Sequence, residues 1–171
     1  MSKSKHDFKV VRSSRSYFLV LVLGVFVGAC DSSRVYDDFT DFDEAFWHMD
    51  SVQRFSFVIS DTSTSYDLYA TFRNASSYPY YNIYFQYSLK DSVDRILNEE
   101  LKDYDFFDAK TGKPFGSGLG DLFDHMVLLE EDFFFNRPGT YSIELQQYMR
   151  LDTLPFILSV GARVEKSESD L

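Results

Sequence analysis

From Gln53 onward the chain alternates apolar and polar positions with a period of two. Phe55, Phe57 and Ile59 share one parity, and Asp61 to Ser65 then forms a polar turn. Tyr66, Leu68, Ala70 and Phe72 face one way, while Asp67, Tyr69, Thr71 and Arg73 face the other. After Asn74 to Tyr80, the run Tyr81, Ile83, Phe85, Tyr87 and Leu89 marks an apolar face, with Asn82, Tyr84, Gln86 and Ser88 opposite. Alternation of this kind predicts half-buried antiparallel strands. Asp91 to Glu100 is open between strand and short helix. Further strands are expected at Tyr104–Phe107, Met126–Leu129, Phe133–Phe135, Thr140–Tyr148 and Phe156–Val164. The clusters Lys110-Thr111-Gly112-Lys113-Pro114 and Asn136-Arg137-Pro138-Gly139 read as turns. About eight short strands with turn signals at intervals of about ten residues predict an all-β fold, an antiparallel β-sandwich or jelly roll.

The amino-terminal segment has a different pattern. Tyr17 to Val27 is eleven residues without a charge, a helix of about 16 Å against a hydrocarbon core of about 30 Å. Basic residues precede it, and Gly28 and Ala29 follow it, the layout of a cleaved signal peptide; an uncleaved signal anchor is the alternative. Val27-Gly28-Ala29-Cys30 resembles the bacterial lipobox, in which small residues let the peptidase approach and the cysteine thiol receives a diacylglyceryl group. The expected organisation is a lipoprotein signal peptide over 1–29, an acylated Cys30 and acidic tether over 30–50, a β-sandwich over 51–166 and a frayed tail over 167–171.

Charge narrows the function classes. The full chain carries −10; without the five basic residues and one acid before Cys30 it retains 12 basic and 26 acidic residues, a net charge of −14. Phosphate recognition needs clustered Lys and Arg, so nucleic acid is not an expected partner. The same charge argues against electrostatic docking on anionic headgroups. With one cysteine, no intrachain disulfide can form.

Candidate chemistry is sparse. His6 leaves with the signal peptide, and His48 and His125 lie in unrelated segments without a G-x-S-x-G elbow; both read as exposed or locally hydrogen-bonded. Gly116, Gly118 and Gly120 precede Asp121, which would repel phosphate, so they read as positions of positive φ or close backbone approach, or as a ligand-facing loop. Asp37, Asp38, Asp41, Asp43 and Glu44 lack calcium-loop spacing. No metal, cofactor, small-molecule substrate or catalytic residue is expected. Tyr78, Tyr80, Tyr81, Tyr84 and Tyr87 with Trp47 could stack on sugar rings, although Tyr81 and Tyr87 share the apolar parity and are expected in the core.

Several turns in order carry a family resemblance. They are Arg73-Asn74, Tyr78-Pro79-Tyr80-Tyr81-Asn82, Gly116-Ser117-Gly118-Leu119-Gly120-Asp121, Gly139-Thr140-Tyr141, Met149-Arg150, and Leu154 with Ile157, Val160 and Gly161. With Cys30, they resemble the gliding-motility lipoprotein GldH family of the Bacteroidetes. Phe115 stands where that family often has tryptophan, and Phe156 where it has glycine. The resemblance implies a non-catalytic, lipid-anchored protein of the cell envelope, most simply the outer membrane. Its role would be structural or in assembly, in gliding motility or associated surface secretion, alongside other envelope or motility lipoproteins. A surface glycan-binding module is the alternative. Cys30 is the lipid-attachment position, and Tyr78, Tyr80, Tyr84 and Arg150 are the candidate interaction residues.

Overall fold

The computed structural model describes residues 33–167. The expected signal peptide over 1–29, Cys30, residues 31–32 and residues 168–171 lie outside the described residues. Those described form eleven strands and no helix: β1 (Arg34–Asp41), β2 (Phe46–His48), β3 (Gln53–Ile59), β4 (Tyr66–Ala75), β5 (Asn82–Asp91), β6 (Ile96–Asp105), β7 (Ser117–Leu119), β8 (Leu122–Phe133), β9 (Gly139–Gln147), β10 (Thr153–Pro155) and β11 (Ile157–Lys166). A five-stranded sheet, ordered β1-β11-β4-β8-β7, and a four-stranded sheet, ordered β3-β9-β5-β6, make an antiparallel sandwich. A short β10-β2 ribbon completes it. The expected all-β class is the observed one. Three of the strands beyond the expected eight, β2, β7 and β10, are three-residue pieces too short to show a period.

Alternation becomes a core because the period of two sends each apolar set inward. Phe55, Phe57 and Ile59 from β3, Leu68, Ala70 and Phe72 from β4, and Ile83, Phe85, Tyr87 and Leu89 from β5 are all buried. The sheets meet through rings: Phe72 lies 4.9 Å from Phe85, Phe135 4.4 Å from Tyr141, and Tyr66 5.6 Å from Phe135. Each fully buried ring contributes about 2–3 kcal/mol of transfer free energy, and well-placed ring pairs add about 1 kcal/mol.

Four readings change. The acidic tether is shorter than residues 30–50, because β1 pairs with β11 from Arg34↔Glu165 to Asp41↔Ser159 and Trp47 of β2 is wholly buried. As a sheet edge, β1 is held by backbone pairing while most of its side chains face solvent, so its composition imitates a linker. Tyr81 is exposed rather than buried. Its carbonyl accepts from the backbone N–H groups of both Phe106 and Phe107 at 2.8 and 2.9 Å, and β5 begins only at Asn82. Asn82 is buried instead, donating to Asp103 at 2.7 Å. The open segment resolves into a turn, with Asp91 accepting from the N–H groups of Val93 and Arg95, followed by strand β6. Ser167, expected in a frayed tail, is buried and donates to Asp67 at 2.7 Å.

Strand directions give the sandwich two ends. At the near end Ser33 enters, Lys166 donating its N–H to the Ser33 carbonyl at 2.8 Å. There too lie the β3–β4 loop, the β5–β6 turn and the β8–β9 loop. The far end holds the β4–β5, β6–β7 and β9–β10 connections and the β7–β8 hairpin.

Candidate interaction surface

At the far end, Tyr78 fixes the β4–β5 loop. Its ring is buried against Phe106 at 5.3 Å, and its hydroxyl donates to the Asn82 carbonyl at 2.9 Å. Burial pushes that phenol well above its ordinary range. Tyr78, one of the four candidate residues, is thus placed inside the fold, where it supports the loop. Tyr80 packs edge-on against it at 5.7 Å and stays exposed. Together with Tyr81, Phe107, Pro114 and Phe123 these rings line a hollow of about 350 Å³.

Tyr84 and Arg150 come together in a second hollow, of about 580 Å³, with Leu101, Tyr148 and Met149. Backbone pairing explains the meeting: Tyr148 donates its N–H to the Tyr84 carbonyl at 2.8 Å, and the Tyr84 N–H points at the Met149 sulfur at 3.1 Å. A hydrogen bond to Asp103 pushes the Tyr84 hydroxyl upward. Arg150 holds a left-handed backbone, φ 58°, after β9, which swings the chain back toward β10. Phe156 does likewise at φ 63°, and its ring is exposed. A bulky side chain in that region costs about 1–2 kcal/mol relative to glycine, so the position tolerates Phe at a structural expense.

The glycine run is a hairpin. Gly120 turns at φ 67° between β7 and β8. A Cβ on Gly116 would meet the Asp124 carbonyl oxygen at 2.5 Å, so close approach is the reason for that glycine. The hairpin presents Leu119, 92 % exposed, with Leu122 and Phe115 beside it. Tyr80, Tyr81, Phe115, Leu119 and Phe156 give the far end an aromatic and aliphatic surface, the composition of an interaction patch.

A groove of about 600 Å³ also runs along the five-stranded sheet, lined by Phe39, Thr71, Arg73, Phe115, Asp124 and His125 among others. Arg73 grips Asp124 with two hydrogen bonds, 2.7 and 3.1 Å. His125 is 3 % exposed and stacked on Phe106 at 4.3 Å, and among the described residues neither ring nitrogen has a partner. Burial holds its pKa down at about 4. This differs from the exposed or locally bonded histidine expected; His48, by contrast, does bond locally, its Nδ1 lying 2.9 Å from the Thr153 hydroxyl. The signal for His125 was its parity, shared with Val127 and Leu129 of β8. No group of His, Cys, Asp and Glu placed to hold a metal occurs among the described residues. Trp47 and Tyr87 are buried with Tyr78, so the six rings do not form one sugar platform.

The profile of the GldH lipoprotein family matches residues 34–164. The chain is 30 % identical over 166 residues to the gliding motility lipoprotein GldH homolog of Christiangramia forsetii, covering 93 % of this chain and 100 % of that protein. It is 24 % identical over 157 residues to the gliding motility lipoprotein GldH of Flavobacterium johnsoniae, covering 88 % and 96 % respectively. No solved structure matches the chain.

Proposed function

The chain belongs to the GldH lipoprotein family, and on that footing we propose that it is a non-catalytic assembly protein of gliding motility or associated surface secretion. It is held at the outer membrane by acyl chains on Cys30 and docks envelope partners, other motility lipoproteins among them, with its far end. The observation that carries the reading is the arrangement of the domain. Its chain enters at Ser33, three residues after Cys30, while exposed Tyr80, Tyr84, Leu119 and Phe156 stand at the opposite end. One acyl chain holds only reversibly at about 0.8 kcal/mol per CH₂, whereas two or three hold durably.

The test has two arms. Cys30→Ala should abolish labelled-palmitate incorporation and release the protein from membranes; full membrane retention would defeat the lipid-anchor reading. Tyr84→Ala with Arg150→Ala should leave a folded, anchored protein that no longer supports gliding or surface display of secreted adhesins. Unimpaired motility in that double variant would remove the far-end docking role. A glycan-binding role is favoured only by the exposed Tyr84 and Tyr148 beside one hollow, and glycan-array binding lost in Tyr80→Ala and Tyr84→Ala would favour it.

A further inference from the structure

We propose that the near end of the sandwich is a bilayer-contacting surface, with Phe134 and Val93 entering the interfacial layer of the membrane that holds the anchor. The proposal rests on acylation of Cys30. Its geometric basis is the length of chain between anchor and fold: the three residues from Cys30 to Ser33 span at most about 11 Å when fully extended. The headgroup layer on each side of a bilayer is about 5–8 Å deep. A sandwich tied so closely has little room to stand clear of the lipid.

The near end is built to meet lipid. Ser33 is bonded to Lys166, Lys166 pairs with Tyr66, and Tyr66 pairs with Phe133. Three strand spacings of about 4.8 Å place the β8–β9 loop about 15 Å sideways from the entering chain, at the same level. In that loop Phe135 is buried between Tyr66 and Tyr141, which fixes the backbone and leaves Phe134 outward, 57 % exposed. Across a shared hollow of about 640 Å³, the β5–β6 turn offers Val93, 77 % exposed. Apolar tips on short, stapled turns lose little side-chain freedom on entering an interface.

Charge makes a small contribution here. Arg95 is paired with Asp91 at 2.9 Å, Asp94 with Arg54 at 2.6 Å, and Lys166 with Asp61 at 3.1 Å. Arg137, Glu131 and Asp132 are exposed beside them, so the near end has no excess of positive charge, within a domain of strong net negative charge. The contact is therefore apolar, and zwitterionic lipid suffices.

The experiment uses the acylated protein in phosphatidylcholine–phosphatidylethanolamine vesicles. Phe134→Cys, Val93→Cys and Leu119→Cys are each labelled with a nitroxide; acylated Cys30 is blocked, so the introduced thiol is the only reactive one. Collision with oxygen should exceed collision with a water-soluble nickel chelate several-fold at positions 93 and 134, and the order should reverse at 119. Chelate access at 93 and 134 equal to that at 119 overturns the proposal, as does shielding from both reagents, which would signify a protein contact. Mass spectrometry of the same samples separates the two levels. Unacylated Cys30 in protein that fails to float with vesicles removes the anchor and this proposal together, whereas acylated protein with chelate-exposed tips removes the contact alone.

Discussion

Replacing His125 by phenylalanine should flatten the acid dependence of stability between pH 6.5 and about 4. The imidazole is buried, stacked on Phe106 at 4.3 Å and edge-on to Tyr104 at 5.8 Å. Its pKa falls from the ordinary 6.5 to about 4 because burial opposes the charged form. The unfolded chain takes up a proton as pH drops through 6.5, but the folded chain does not until about pH 4. Stability is thus intact above 6.5 and is lost progressively down to about 4, at about 1.4 kcal/mol per pH unit, a total of about 3 kcal/mol. At neutral pH the wild-type ring also leaves two buried nitrogens without partners among the described residues, a penalty of about 1–3 kcal/mol that a phenyl ring avoids. Against this, the ring edge lies so close to Gly116 that a Cβ there would stand 2.7 Å from it, and a larger ring loses part of that gain. Urea titrations of both proteins from pH 7.5 to 4 isolate the histidine, since every carboxylate is common to both. The variant should match or exceed wild type at pH 7.5, and its advantage should widen on acidification. A difference independent of pH would show that His125 titrates normally and would refute the reasoning.

Other substitutions separate support from contact. Tyr78→Phe removes the hydrogen bond to the Asn82 carbonyl and should cost about 1 kcal/mol in denaturant titration. Tyr84→Ala and Arg150→Ala, at exposed positions, should stay within about 0.5 kcal/mol of wild type, and an equal loss in all three would erase the distinction. Gly161→Ala should lower stability by about 2 kcal/mol or more, because its Cβ would meet the Thr71 hydroxyl at 2.5 Å and the Asp38 carbonyl at 2.6 Å. Hydrogen exchange should then quicken first in β1, and unchanged protection there would argue against the clash.

The long strands were legible because their alternation continues for seven or more residues, as in Tyr66–Ala75 and Asn82–Asp91. The glycine run was legible as close approach because Asp121 disfavoured the phosphate alternative. β1 was not legible: an edge strand paired on one side can carry Asp37, Asp38 and Asp41 at no packing penalty. The burial of Tyr78 was not legible because nothing in Tyr78-Pro79-Tyr80-Tyr81 distinguishes which ring turns inward; that choice is set by Phe106, contributed by a distant segment. The meeting of Tyr84 with Arg150 depends on the register of β5 against β9, with Phe85 opposite Gln147, which local pattern does not reveal.

The position of β1 also bears on how the domain would respond to pulling. Its first residue, Arg34, follows Cys30 by four positions in the sequence, and from there the strand runs beside β11 toward the far end. Tension between a lipid anchor and a partner gripping the far end would act along the strand axis, across hydrogen bonds that lie perpendicular to it. Those bonds then bear the load together, in shear, whereas a sideways pull would unzip them one after another. A tugged tether would accordingly stretch this domain in the direction in which a sheet resists rupture best.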